Sequence, residues 1–421
     1  MKNIVLQPSF YSKFECIGSD CKYNCCRNWS IIFTKQELKN MKKKIRTEEF
    51  REIFEDAFEK YQEHGNSYKI KFNEDKKCKF LDENGLCKVY KEMGPENMSL
   101  VCQVFPRSIT YYMGKYECFL DIACEEVVKL LLQEKDGIKL DIIERELTVP
   151  ERKGGARIDA ETMRVSSELH YWIDFKILIL GVLQNREYSF GERMVVLGMG
   201  FKKVKDMLEK GVESTKTIPN YIQQFVDNFN DSKNKDMYCK LFENADRSGE
   251  KRLFNSIFYN YNGTRVSGED FIIQKKINTR IDVKSQLEVG FQVGQGKVDK
   301  LNIEYDVEKY QQAIKDFEEF IKGKEYWIEN VMIEGFLATR FPFRIEGGIW
   351  KNYCTMATVY SMMLFMWTCC LEKDSTEEDF IYYTSEFSKS LFNSVDHMTN
   401  LEKRLNETES ETLGHMAALV L

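Results

Sequence analysis

The run Phe14-Glu-Cys16-Ile-Gly-Ser-Asp-Cys21-Lys-Tyr-Asn-Cys25-Cys26-Arg-Asn-Trp29 brings four cysteines into one short polar stretch. Further cysteines follow at Cys78, Cys87, Cys102, Cys118 and Cys124, so nine of the thirteen in this 421-residue chain lie before residue 125. Packing alone does not produce that density, since a buried free cysteine behaves as one small hydrophobe among many. The pattern reads as thiolates converging on a metal, with iron in an iron–sulfur cluster as the first reading and a Cys₄ zinc site as the open alternative.

Bulk properties narrow the setting. A hydrophobic content of 43% and a charged content of 30% are those of a folded globular chain. The formal net charge of −6 gives no basic footprint for nucleic acid. The start Met1-Lys2-Asn3 reaches polar Gln7 without the apolar core of a secretion signal. The expected location is therefore cytoplasmic, a reducing compartment in which these cysteines do not form a disulfide framework. Tyr353 to Leu371 is an uncharged run of bilayer-spanning length. Thr355, Thr358, Ser361 and Thr368 punctuate it and no basic cluster flanks it, so a buried central helix is expected and no membrane partner.

Outward from the cysteines, residues 4–7 read as a short strand. Thr34 and Glu37 form a capping-box pattern opening a charged helix through Lys60, with Leu38, Met41, Ile45, Phe50, Phe54 and Phe58 as its buried stripe. Tyr68 to Phe72 alternates like a strand. Asn84-Gly85 signals a tight turn that would carry Cys78 and Cys87 up two paired arms. A second hairpin is expected from Ile109 to Phe119, turning at Met113-Gly114-Lys115, and Cys124 should stand at a helix N-terminus, which favours a thiolate. Glu151 to Arg157 reads as a linker and Lys275 to Lys300 as loop or irregular strand. Helical spacing recurs near 160–184, 190–211, 219–230, 306–323, 325–340, 353–371 and 376–396, with Tyr310, Ile314, Phe317 and Ile321 on one face. The predicted fold is mainly α: a small cysteine-rich N-terminal module with β-hairpins over 1–150, packed on a larger helical body over 158–421.

The candidate ligands are drawn from the nine cysteines before residue 125: Cys16, Cys21, Cys25, Cys26, Cys78, Cys87, Cys102 and Cys124, with Cys118 doubtful. Only four histidines exist and His64 alone precedes residue 125, which argues against a mixed Cys/His finger. The spacings Cys-x₄-Cys-x₃-Cys-Cys and Cys-x₈-Cys match neither a paired zinc ribbon nor the ferredoxin pattern. Cys21-x₃-Cys25 begins the radical S-adenosylmethionine motif, but residue 28 is asparagine. Cys118 alternates along a strand and can simply face the core. Cys239, Cys354, Cys369 and Cys370 lie in helical or apolar settings and read as buried small hydrophobes.

These residues resemble the flagellin lysine N-methylases. The matching pieces are Phe14-Glu-Cys16-Ile-Gly18 with Cys21, Cys25-Cys26 and Trp29; Cys78-Lys-Phe-Leu-Asp with Gly85-Leu-Cys87; and Leu100-Val-Cys102 with Phe105-Pro106-Arg107. Ala123-Cys124-Glu125 resembles the family's Ser-Cys-Pro-Glu, with Ala and Glu replacing Ser and Pro. In the helical part, Leu183-Gln-Asn-Arg186-Glu-Tyr188-Ser, Glu192-Arg193, Leu197-Gly198 and Glu334 to Phe343 agree too. The resemblance implies transfer of methyl groups from S-adenosylmethionine to lysine amines of flagellin, with an iron–sulfur cluster of 4Fe-4S type. Eight matching cysteines exceed the four ligands of one cubane, so some support the others or two centres exist. The cysteine half is also similar to a broader group of zinc- or iron-chelating domains.

Such a transfer needs a neutral lysine amine and an in-line sulfonium, and aromatic walls suit both cations. Tyr111, Tyr112, Trp172, Tyr353 and Tyr382 are candidates for that wall, though each is more readily a core or surface aromatic. Val195-Val-Leu-Gly198-Met-Gly200 and Gly290-Phe-Gln-Val-Gly294-Gln-Gly296 have the look of a Gly-rich cofactor turn, a weak signal without a strand before it and a helix after. Catalytic and cofactor-contacting residues are otherwise undefined. Two rivals remain: a zinc-holding interaction protein without methyltransferase activity, and an iron–sulfur electron carrier.

Overall fold

The computed structural model describes residues 2–27, 31–61, 67–73, 77–165, 167–211, 216–249, 252, 269–282, 284–286, 302–344, 346–392 and 395–421. The chain divides into two compact units, Met1–Val165 with Ser388–Ser394, and Ser166–Phe387 with Val395–Leu421.

In the first unit, β1 (Asn3–Pro8) leads toward the cysteine stretch and β2 (Ile32–Thr34) leaves it. The Thr34 hydroxyl accepts from Glu37 N–H and the Glu37 carboxylate accepts from Thr34 N–H, forming the expected capping box on α1 (Lys35–Lys42). The single long helix to Lys60 is not formed. Thr47 caps a second helix, α2 (Glu48–Asp56), and Phe58 enters a strand, β3 (Phe58–Tyr61), antiparallel to β4 (Ser67–Ile70). The reason lies in the phenylalanines: Phe33, Phe54 and Phe80 all pack around Phe58, and only a break in the helix lets its ring reach them. Met41, Ile45, Phe50 and Phe54 are buried as expected, while Leu38 and Phe58 pack at the edge of that cluster.

After Asn84, Gly85 adopts φ +78°, the left-handed turn expected there. The arms differ from the expectation, because Cys87 bridges to Leu81 whereas Cys78 bridges to Phe72. The turn is closed by Asp82, whose carboxylate accepts from Leu86 N–H at 2.8 Å and Asn84 N–H at 3.0 Å. Two short helices follow, α3 (Lys88–Met93) and α4 (Leu100–Val104). The second hairpin is β5 (Arg107–Tyr112) with β6 (Lys115–Leu120), turning on Met113 and Gly114, both at positive φ. Then come α5 (Glu125–Gln133), β7 (Leu140–Arg145), α6 (Val149–Gly154), β8 (Ala156–Ile158) and α7 (Ala160–Val165). The strands order β7-β1-β6-β5-β8, and β2-β4-β3 forms a separate small sheet. Glu151–Arg157 is therefore no linker. A second capping box, Thr148 with Glu151, starts α6, and residues 156–158 pair with β5.

The second unit is helical. Its elements are α8 (Trp172–Leu183), α9 (Phe190–Glu209), α10 (Thr217–Asn230), α11 (Lys235–Phe242), α12 (Glu269–Arg280), a short β9 (Lys284–Gln286) paired with β10 (Asn302–Glu304), α13 (Val307–Ile321), α14 (Tyr326–Ala338), α15 (Gly348–Cys370), α16 (Glu377–Phe392, whose end from Ser388 onward belongs to the first unit), α17 (Val395–Glu407) and α18 (Leu413–Val420). Helix α15 contains the uncharged run and packs against α9, α12, α13, α17 and α18, so its apolar length is covered by protein. Its buried threonines return their hydroxyls to the preceding turn: Thr355 donates to Lys351 O at 3.0 Å and Thr358 to Cys354 O at 2.9 Å. Among the described residues no helix is long and apolar enough to cross a membrane. The stretch 275–280, expected as loop, is the end of α12, with Ile273 and Ile277 buried.

The glycine pattern Val195–Gly200 lies inside α9, where it serves packing and not a cofactor turn. A Cβ on Gly198 would overlap the Tyr353 phenol, and one on Gly200 would crowd Leu178 and Phe225. The second pattern, Gly290 to Gly296, lies outside the described residues, as do Trp29 and His64.

Candidate metal centre

Four segments of the first unit bring thiols to one small pocket. Cys25 and Cys26 come from the loop before β2, Cys78 from the bridge to Phe72, Cys87 from the residue preceding α3, and Cys102 from the middle of α4. All five line a cavity of about 50 Å³ whose remaining walls are almost wholly apolar, including Phe33, Ile70, Phe80 and Val89. The local chain explains the convergence. Cys78 N–H donates to Cys26 O at 2.8 Å, tying the two segments together, and Ser99 Oγ accepts from Cys102 N–H at 3.2 Å, starting α4 with its cysteine inward.

Cys16, Cys21 and Cys124 stand apart from that lining. Cys124 is the residue preceding α5, as expected, and the Glu125 carboxylate accepts from Lys22 N–H at 3.2 Å and Tyr23 N–H at 3.1 Å. Glu125 thus holds the Cys21–Cys25 loop against the start of α5. Cys25 belongs to both neighbourhoods, acting electrostatically on Cys102 and Cys26 on one side and on Cys21 and Cys124 on the other. Cys16 is exposed and acts on Cys124.

The electrostatics single out Cys25. A hydrogen bond from the Cys26 thiol, together with the Lys389 ammonium, draws its pKa down to about 7 against the opposing effect of burial. Lys389 is itself buried and donates to Tyr23 O at 2.9 Å and Asn24 O at 3.4 Å. The partner thiols go the other way: Cys26 is raised by sharing its proton with Cys25, and burial pushes Cys78, Cys102 and Cys124 up to about 12. Neither Lys389, more than 360 residues along the chain, nor the Glu125 clamp was apparent from cysteine spacing. The only trace of Glu125 was its place directly after Cys124.

Among the described residues, no three Cys, His, Asp or Glu side chains already stand at the mutual distances of a shared ion. The thiols line the pocket, and rotation about χ1 moves a cysteine sulfur without moving its backbone. The donor set itself fits a soft metal centre: sulfur only, in a dry apolar wall, with one lysine offsetting negative charge.

The remaining cysteines take other roles. Cys118 is buried on β6, 3.3 Å from Arg145 Nη2, and is no part of the pocket. Cys354, Cys369 and Cys370 are buried in α15, whereas Cys239, expected to be buried, is exposed on α11. Four of the five aromatic candidates make packing or hydrogen-bond contacts within the fold. Tyr111 lies under the Arg157 guanidinium, and Trp172 stacks on Phe343 with Lys176 Nζ 4.1 Å from its ring centre. Tyr353 donates from a fully buried position to Met194 O, and Tyr382 packs edge-on to Tyr383.

In the helical unit, residues of the resembling motif meet around one buried carboxylate. Glu329 of α14 accepts from Arg186 at 2.8–3.1 Å and from Arg193 Nη1 at 2.5 Å. Arg193 also donates to Leu183 O, fixing the loop between α8 and α9. Ser189 and Glu192 form the capping box that starts α9.

Residues 15–125 match a family described as a candidate zinc- or iron-chelating domain. Residues 176–419 match the FliB lysine N-methylase C-terminal domain. The chain is 33% identical over 144 residues to a protein named lysine-N-methylase from Salmonella typhimurium, and equally to one from Salmonella choleraesuis. Those matches cover 33% of this chain and 35% of each relative, so the chain spans about a third of the length of these two proteins. It is also 33% identical over 145 residues to a flagellar biosynthetic protein FliU from Salmonella muenchen, covering 84% of that protein. No solved structure matches. The match over residues 176–419 spans more than half of the chain, which therefore belongs to the FliB lysine N-methylase C-terminal domain family.

Proposed function

We propose that this chain is a protein-lysine N-methyltransferase that moves methyl groups from S-adenosylmethionine to lysine side chains of flagellin in the cytoplasm, and that its cysteines hold an iron–sulfur cluster. The observation that carries the metal half is the convergence of Cys25, Cys26, Cys78, Cys87 and Cys102 on one apolar pocket. The reaction half rests on family membership and on relatives named lysine-N-methylase. Cys16, Cys21 and Cys124 join through Cys25, so the eight cysteines would serve as a first ligand set around the pocket and a second set beside α5.

The pocket cysteines would hold a cluster there, which would supply a Lewis-acidic iron and tie together segments spread over about a hundred residues. The protein's own part is plainer. Cys25, its pKa lowered by Cys26 and Lys389, is the pocket thiol that ionises most readily near neutral pH. Glu125 keeps the loop carrying it in place. The apolar walls lower the polarity around the sulfurs. For the transfer itself, the lysine amine must arrive neutral and in line with the sulfonium, so binding and desolvation do most of the work.

The deciding experiment mixes anaerobically purified protein with flagellin and S-adenosylmethionine and reads the mass of the flagellin. Gain in steps of one methylene, lost in Cys25→Ala and Cys26→Ala, supports the proposal. A colourless protein with stoichiometric zinc and no change in flagellin mass would replace it with the zinc-holding interaction protein. Reversible reduction without methyl transfer would indicate an electron carrier.

A further inference from the structure

We infer that the helical unit carries the site for the methyl donor, in the cavity between the start of α9 and helices α13, α14 and α15. This rests on the proposed methyltransferase reading and deepens it by giving the donor a place among residues of the helical unit. The cavity measures about 660 Å³, within the range of small-molecule sites. Arg186, Tyr188 and Arg193, residues of the resembling motif that the metal centre leaves without a role, all line it.

The lining sets the ligand class. Arg186, Arg193, Arg247 and Arg252 face the same space as four glutamates and five aromatic rings. Glu329 is committed to Arg186 and Arg193, and Glu192 accepts from Arg247 at 2.6 Å. Arg252 differs: it is 6% exposed, donates to Leu419 O at 3.4 Å and acts on the Tyr310 and Tyr360 phenols, but has no carboxylate partner among the described residues. A buried guanidinium without a counter-ion is costly, and a ligand carboxylate would relieve that cost with charge-assisted hydrogen bonds. A polyanion would meet the glutamates, so a ligand bearing both signs and an aromatic ring fits best. S-adenosylmethionine has those three features: a carboxylate for Arg252, an ammonium and a sulfonium for the glutamates and ring faces, and an adenine to stack. ATP shares the adenine but carries only negative charge.

The test uses the anaerobically purified holoprotein with tritiated S-adenosylmethionine. Ultraviolet cross-linking followed by peptide mapping should place the label in peptides containing residues 186–193, 252 or 325–329, and excess ATP should not displace it. Arg252→Gln should weaken binding by about tenfold to hundredfold in equilibrium dialysis, with Arg252→Lys recovering part of the loss. Label in peptides containing residues 16–26 or 78–102 would overturn the inference while leaving the methylase reading intact, because flagellin would still gain mass. Unchanged affinity in a folded Arg252→Gln protein would overturn it likewise. Absence of both donor binding and flagellin methylation would instead remove the methylase reading and this site with it.

Discussion

The carboxylate of Glu125 accepts the backbone N–H of Tyr23 at 3.1 Å, across 102 residues of sequence. With Lys22 N–H on its other oxygen, one side chain satisfies two consecutive donors of the cysteine loop. Glu125→Ala would leave both donors without that acceptor, each charge-assisted bond being worth about 1.5–3 kcal/mol. The expected outcome is a lower denaturation midpoint for the first unit and a lower metal-to-protein ratio on purification. Glu125→Gln keeps one acceptor oxygen and should lie between the two proteins on both measures.

Cys25 is expected to be the most reactive thiol of chelator-stripped protein at neutral pH. Its folded-state pKa of about 7 lies below the ordinary thiol value of 9 because the Cys26 thiol donates to it and Lys389 faces it, while Cys21, Cys78, Cys102 and Cys124 stay protonated. The sign follows directly. A depressed pKa stabilises the folded unit fully above pH 9, and that contribution is lost as the pH falls through about 7. Iodoacetamide labelling read by peptide mass should show Cys25 modified first, with its midpoint moving up in Lys389→Met. Uniform labelling of all the pocket cysteines at pH 7 would contradict this electrostatic picture.

Cys102 and Cys118 separate ligand from packing. Cys102 lines the pocket, whereas Cys118 sits on β6 beside Arg145. Cys102→Ser should lose most bound metal, since a hydroxyl is a poor ligand for a soft centre. Cys118→Ser should keep wild-type metal content. Elemental analysis of both proteins after identical anaerobic purification decides the point.

Periodicity and punctuation carried most of the fold. The Thr34-x-x-Glu37 box, the Met113-Gly114 turn and the helix after Cys124 are local, and each formed where its residues indicate. The long charged helix failed because Phe58 is drawn to Phe33 and Phe80, partners that no local pattern reveals. Glu151–Arg157 looked like a linker since its polar residues also suit a first helical turn, and β8 is short enough to show no alternation. Cysteine density pointed to the thiol pocket, yet the groups that tune it come from Glu125 and Lys389, brought near only by tertiary structure. Of the cavity around Arg252 only the Arg186–Arg193 motif was visible, because the rest of its lining is gathered from separate helices and loops.

Glu329 is buried between Arg186 and Arg193, and the two arginines differ in exposure: 41% for the Arg186 side chain and 4% for Arg193. Removing the carboxylate strands the deeper guanidinium, so Glu329→Ala should cost about 3–5 kcal/mol in the helical unit. Arg186→Ala removes a half-exposed partner and should cost much less, within about 1 kcal/mol. Chemical denaturation of the three proteins gives the comparison, and similar losses for both variants would show that burial does not govern this network.

Gly198 tests whether the glycines of α9 serve contact or cofactor. A Cβ there would overlap the Tyr353 phenol, which is itself fixed by its bond to Met194 O at 3.0 Å. The ring therefore cannot swing aside cheaply, and Gly198→Ala should destabilise the helical unit by about 1–3 kcal/mol despite alanine's better helix propensity. S-adenosylmethionine affinity in the folded variant should stay at the wild-type value, since residue 198 does not line the cavity. Full stability with lost donor binding would reverse the assignment and return Val195–Gly200 to the role of a cofactor segment.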